Sequence, residues 1–164
     1  MGRVRLEDAH SDTLAWLFKP WEAHGLGAHF LREFVAATGQ RLPSGRVRFV
    51  ETRKKITRAG ERIDIEVRGD GWVLAIENKL DHVETPGQTD GYAQHYEVSQ
   101  LPNEITLGIF LTRDGSSANA DTFFKPMSYR TLRLTLDNQK PNGTSEATQV
   151  LRWFSDHIRR NLEL

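Results

Sequence analysis

Asp64 and the run Glu77-Asn78-Lys79 are the residues whose types and spacing suit chemistry. Both sit in stretches that read as strands. Glu61-Arg62-Ile63-Asp64-Ile65-Glu66-Val67 alternates polar and apolar residues, and Trp72-Val73-Leu74-Ala75-Ile76 is almost wholly apolar, as in a strand buried on both faces. Gly69-Asp70-Gly71 between them reads as a hairpin turn. Side chains alternate across a strand, so Glu77 and Lys79 point to one side and Asn78 to the other. The turn can then set Asp64 beside Glu77. Carboxylate oxygens suit a hard cation such as Mg²⁺, which stabilises charge on a phosphate and lowers the pKa of bound water. An ammonium beside it can orient that water and hold a phosphate oxygen as a point charge. Together they form a minimal kit for cleaving a phosphodiester. A surface hairpin with a salt bridge has the same spacing. Position favours chemistry, because Glu77 follows directly on an apolar run, where a carboxylate is costly unless paired or metal-bound.

Other elements must hold these residues. Leu6, His10, Thr13, Leu14 and Leu17 recur at helical spacing before Pro20 stops the first helix. Phe30, Leu31, Phe34 and Val35 mark a second helix, which Gly39 ends. Arg46 to Val50 alternates as a strand. Thr85-Pro86 reads as an N-cap and a first-turn proline for a helix running to about Val98. Ile105 to Leu111 is another buried strand. A shorter strand is expected at Arg130 to Leu136. Ser145 is expected to cap a last helix with Val150, Leu151, Phe154 and Ile158 inward. The order predicts a central mixed sheet flanked by helices.

The 164 residues suit one domain, and 38% apolar content spread along the chain supports a packed core. With Cys 0, disulfides, thiolate metal sites and cysteine nucleophiles are excluded. The segment Met1 to Asp12 lacks the apolar core of a signal peptide, and no run is long enough to cross a bilayer, so a cytoplasmic location is expected. Twenty-two basic residues balance 22 acidic ones. That counts against a protein that coats nucleic acid, yet leaves room for a local basic rim. Arg41, Arg46, Arg48, Arg53, Lys54, Lys55, Arg58 and Arg62 supply one candidate, either a phosphate contact or a solvated loop.

Three blocks, Arg62-Ile63-Asp64-Ile65, Ile76-Glu77-Asn78-Lys79-Leu80 and Gln88-Thr89-Asp90-Gly91-Tyr92, resemble the core of the PD-(D/E)XK nuclease superfamily. They are most similar to a bacterial and phage branch reading R-I-D-I, I-E-N-K and Q-x-x-x-Y. His10-Ser11, Leu14 to Leu17, Pro20, His24 to Gly27 and Phe30-Leu31 are similar to the region before that core, and Ser128-Tyr129 fits loosely. The resemblance spans about Glu7 to Thr112. It implies a restriction-endonuclease-like core: a four-stranded mixed sheet with flanking helices, one nuclease domain over 1–164. It also implies roles. Asp64 and Glu77 would bind Mg²⁺, with Mn²⁺ substituting. Lys79 would position or activate water, and Gln88 would orient phosphate or water. Glu7 would be the extra acidic residue that many members place near the metal. DNA is the implied partner, with no membrane. A homodimer is left open, because related nucleases often pair to cut two strands. Ile63 stands where the family pattern has proline.

Asp81, His82 and Glu84 lie close to the site in the chain, as extra ligands or as a solvated loop. His10, His24 and His29 lack an acidic or thiolate partner at ligand spacing and read as structural or surface residues. Trp16, Trp21, Trp72 and Trp153 read as core or helix-packing residues, and Tyr92 and Tyr96 as ordinary packing one turn apart. The rival function is a catalytically inactive module with the nuclease fold that binds nucleic acid or a protein.

Overall fold

A computed structural model describes residues 2–57, 60–80 and 84–162, with side chains from Leu6 onward. Arg58, Asp81 and His82 therefore lie outside the described residues. The sequence begins with two helices, α1 (Gly2–Leu17) and α2 (His29–Ala36). Three antiparallel strands follow: β1 (Val47–Lys55), β2 (Arg62–Gly69) and β3 (Trp72–Lys79). Helix α3 (Gln88–Ser99) then crosses to β4 (Ile105–Thr112), which runs parallel to β3. Strand β5 (Phe124–Ser128) adds a second parallel pair, and α4 (Tyr129–Asp137) and α5 (Ser145–Asn161) close the chain. The mixed sheet has the order β1-β2-β3-β4-β5, five strands where four were expected.

The sheet is covered on both faces, which explains the unbroken apolar run of β3. Ile65, Val67, Trp72, Leu74 and Ile76 join Leu14, Phe18, Phe30, Phe34, Tyr129 and Phe154 in the larger core, on the side of α1, α2, α4 and α5. Val73 and Ala75 join Ile63, Tyr92, Tyr96 and Phe110 on the α3 side. No described helix is long and apolar enough to cross a membrane.

Several sequence expectations are corrected. Arg130 to Leu136 is helical: buried Leu132 and Leu136 lie one turn apart, while Leu134 is exposed. The alternation of leucines at every second position imitated a strand, and the real strand, β5, carries Pro126, which suits its place at the sheet edge. Helix α3 starts at Gln88, not at Pro86, with Gly87 as N-cap in the left-handed region. For α5 the cap is Thr144, whose hydroxyl accepts the Ala147 N–H at 3.2 Å, and Val150 faces outward at 40% exposure. Trp72 is fully buried, but Trp21 and Trp153 are exposed.

Gly69 makes room for Trp72. A Cβ there would lie 2.1 Å from the fully buried indole. Gly69→Ala is therefore expected to lower stability by about 1–3 kcal/mol through overpacking, read as a shift of the urea unfolding midpoint.

Candidate active site

The β2–β3 ladder ends at the pair Ile65 and Ile76. Continued by one step, the same register would place Asp64 opposite Glu77. Beyond that point the strands part, and the Asn78 N–H bonds to the Asp64 carboxylate at 2.7 Å instead of to a strand carbonyl. Across from Asp64 on β1 stands Arg53, between the pairs Thr52 with Ile65 and Lys54 with Ile63. Arg53 has a φ of 52°, a conformation costly for a large side chain. Ile63 and Ile65, two residues apart, pack into different cores, so the chain turns over between them. The irregularity presents Asp64 at the open end of the sheet. The guanidinium of Arg53 bonds to Asp12 on α1 at 2.8 Å.

Glu77 and Lys79 pair with each other, Nζ to Oε1, at 2.8 Å. Glu77 is 1% exposed. Gln88, the first residue of α3, donates from Nε2 to Glu77 Oε1 at 3.0 Å and to the Tyr92 hydroxyl at 2.8 Å. Tyr92 in turn donates to the Arg62 carbonyl at 3.0 Å. The structure thus gathers Asp64, Glu77, Lys79 and Gln88 around one point. Glu7 joins them from α1: its carboxylate accepts the Leu80 N–H at 2.9 Å and its carbonyl accepts from Asn78 Nδ2 at 3.2 Å.

Burial dominates the electrostatics. It raises the Glu77 carboxyl well above the ordinary range, the charge of Asp64 adds to it, and Lys79 opposes both. Burial raises Asp64 too, against the Asn78 amide and Lys79, while Glu7 and Asp8 push the same way as burial. Burial would lower Lys79, but Glu77, Asp64 and Glu7 outweigh it and hold the ammonium above its usual range. Burial, with Glu77, pushes the Tyr92 hydroxyl up to about 12, so it stays a donor.

Glu77 Oε2 and Gln88 Oε1 are buried with no hydrogen-bond partner. Unpaired buried acceptors beside a repelling carboxylate fit a bound cation. Among the described residues no three acidic or histidine side chains close into a cage. A hard ion held by one or two carboxylates and completed by water and substrate oxygens matches that sparse set.

Several residues near the site hold it together. Asn78, on the other side of β3 from Glu77, bonds to Ser11 at 3.2 Å and accepts from Tyr129 at 2.7 Å. Tyr129 meets His10 at 3.1 Å, and burial, then His157, lowers His10 to about 4, so this imidazole is neutral. His24 accepts the Leu26 N–H and bonds to the Lys19 carbonyl, a turn-holding role. Glu84 anchors the start of α3: it accepts the Thr89 N–H at 3.0 Å, the Thr89 hydroxyl and the Asn119 N–H at 2.9 Å. Sequence reading missed this use of Glu84. Its only signal was an acid five residues ahead of a threonine in a helix first turn, which is common by chance.

A mixed sheet flanked by helices, with an acidic and lysine cluster where its central buried strand ends, defines a restriction-endonuclease-like protein. The chain belongs to the PD-(D/E)XK nuclease superfamily, whose family model matches residues 2–163. No curated protein matches, and no solved structure does. Membership supports a nuclease-type function with nucleic acid as the partner, in a family that typically uses divalent metal ions.

The raised carboxyls give a stability prediction for the metal-free protein. A folded-state pKa above the unfolded value favours folding at low pH and loses that contribution as pH rises through the folded pKa. Wild type should therefore lose thermal stability as pH climbs from the ordinary carboxylate range toward neutrality and slightly beyond. Glu77→Gln should flatten that decline in melting scans in EDTA and melt above wild type at the alkaline end.

Proposed function

We propose that the chain is a metal-dependent phosphodiesterase that hydrolyses DNA, with Mg²⁺ as its ion and Mn²⁺ able to replace it. The observation that carries this reading is Glu77: one oxygen is held by Lys79 and Gln88, and the other is buried without a partner. Asp64 and Glu77 would hold the ion, with Glu7 as the further acidic group at its edge. The bound ion would withdraw charge from the phosphate and acidify water.

The protein's own residues do the rest. Lys79 remains an ammonium at neutral pH, since three carboxylates hold it above its usual range. It therefore acts as a donor and a point charge, orienting the water and drawing on a phosphate oxygen, and does not itself take the proton. Gln88 is fixed through Nε2 by Glu77 and Tyr92, which leaves Oε1 to accept from the incoming water. Asn78 and Leu80 bind Asp64 and Glu7 through main-chain amides, so both carboxylates keep their places before any substrate arrives. We read residues 1–164 as one such domain, acting in the cytoplasm.

Cleavage of supercoiled plasmid and of single-stranded DNA with Mg²⁺ or Mn²⁺ tests the proposal. Wild type should cut only with metal. Lys79→Ala should slow cutting by about 10²–10³-fold, the cost of losing one preorganised charge donor, and Asp64→Ala should abolish it. A folded wild type that binds DNA but cuts neither substrate with either metal would favour the inactive binding module.

A further inference from the structure

Four strand ends meet at the open end of the sheet. Lys55 closes β1 opposite Arg62, which opens β2, and Lys79 closes β3 beside Thr112, which closes β4. Arg113 is the next residue. We propose that Lys55, Arg62 and Arg113 form a phosphate-binding row that seats a polynucleotide backbone across the candidate active site. The inference rests on the nuclease reading and adds where the substrate strand lies.

The other cations of β1 and β2 are already neutralised. Arg48 is held by Asp70, Arg53 by Asp12, Lys54 by Glu66, and Arg68 by Glu66 and Glu104. Among the described residues Lys55, Arg62 and Arg113 make no ion pair, although acids are near in the chain. Glu61 reaches toward Gly91 of α3, and Asp114 accepts the Ser116 N–H at 2.9 Å. Like charges directly opposite on paired strands are destabilising, yet Lys55 faces Arg62 in register.

Arg113 adds an independent observation. Its Nε is buried and has no hydrogen-bond partner. A guanidinium keeps its proton, so this is a desolvated charged donor, the costly kind of unsatisfied group. A phosphate oxygen is its natural acceptor.

The geometry fits a backbone. Neighbouring strands lie about 4.8 Å apart, so four of them span about 14 Å. Successive phosphates of one strand lie farther apart along the backbone than their rise of about 3.4 Å along the axis, so a span of that size covers only a few of them. Along the strand order Arg62 and Lys55 then lie to one side of Lys79, and Arg113 to the other. Buried Ile56 and Ile63 seat the hairpin end against the core on the α3 side, and the Arg62 carbonyl is fixed by Tyr92.

Salt-dependent binding of a fluorescein-labelled DNA duplex, and of its single strand, followed by anisotropy in EDTA, tests the row. Each lost phosphate contact should flatten the slope of log K against log salt by about 0.9 on duplex or about 0.7 on single strand. Lys55→Gln with Arg62→Gln should remove up to two such steps and Arg113→Gln one, with melting scans confirming folded protein. Arg113→Lys should restore the slope, and Arg48→Gln, at the other end of the sheet, should leave it at the wild-type value. The arm with the steeper wild-type slope shows which form of DNA the row grips. An unchanged slope in the folded triple Gln variant, or an equal loss in Arg48→Gln, would overturn the proposal. Cleavage by wild type in that event would leave the nuclease reading standing. A slope that falls as expected in a wild type that never cuts would keep the row and remove the catalysis.

Discussion

The structure depends on a carboxylate at the end of a buried strand. β3 is apolar because both its faces are covered, and the strand then runs directly into Glu77, 1% exposed. Such a group is tolerated only where charge and hydrogen bonds are brought to it. Lys79 from the same strand and Gln88 from the next helix satisfy one oxygen. The other stays without a donor. Much of the surrounding architecture supplies partners to this one side chain or holds those partners still.

The end of the β2–β3 ladder follows the same logic. Regular pairing carried past Ile65 and Ile76 would occupy the Asn78 amide with a strand carbonyl. The left-handed Arg53 and the reversal between Ile63 and Ile65 break that pattern, and the Asp64 carboxylate takes the amide. A ladder hydrogen bond is exchanged for one that fixes a charged group. Arg53 also pairs with Asp12, which links α1 to the sheet. Asn78 completes that link from the opposite face of β3, through Glu7, Ser11 and Tyr129.

Where residue pattern and burial agreed, the sequence was readable. The apolar run Trp72 to Ile76, the two-residue spacing of Glu77 and Lys79, and the Gly-Asp-Gly turn led to the central hairpin, and the structure sets Asp64, Glu77, Lys79 and Gln88 together there. Periodicity misled at Leu132, Leu134 and Leu136, because residues two and four apart satisfy a strand or a helix depending on which are buried. Ser128 settles it by accepting the Thr131 N–H at 3.1 Å, a local bond that periodicity does not register. β5 is short and interrupted by Pro126, so no unbroken strand pattern marks it in the sequence. Trp21 and Trp153 are exposed despite their size, since apolar character does not decide which side of a surface helix or turn a residue takes. Glu84 and Arg53 act through partners far along the chain, Asn119 and Asp12, and no local spacing encodes them.

Glu84 joins the segment ahead of α3 to the one between β4 and β5, through Thr89 on one side and Asn119 on the other. Surface loops ordinarily vary in length independently of one another. These two share one carboxylate, and Gln88 stands one residue from that shared point. A residue inserted in either loop would pull on the other and displace Gln88 with it. The shared carboxylate thus makes the lengths of the two loops one geometric constraint, where two separate loops would carry two.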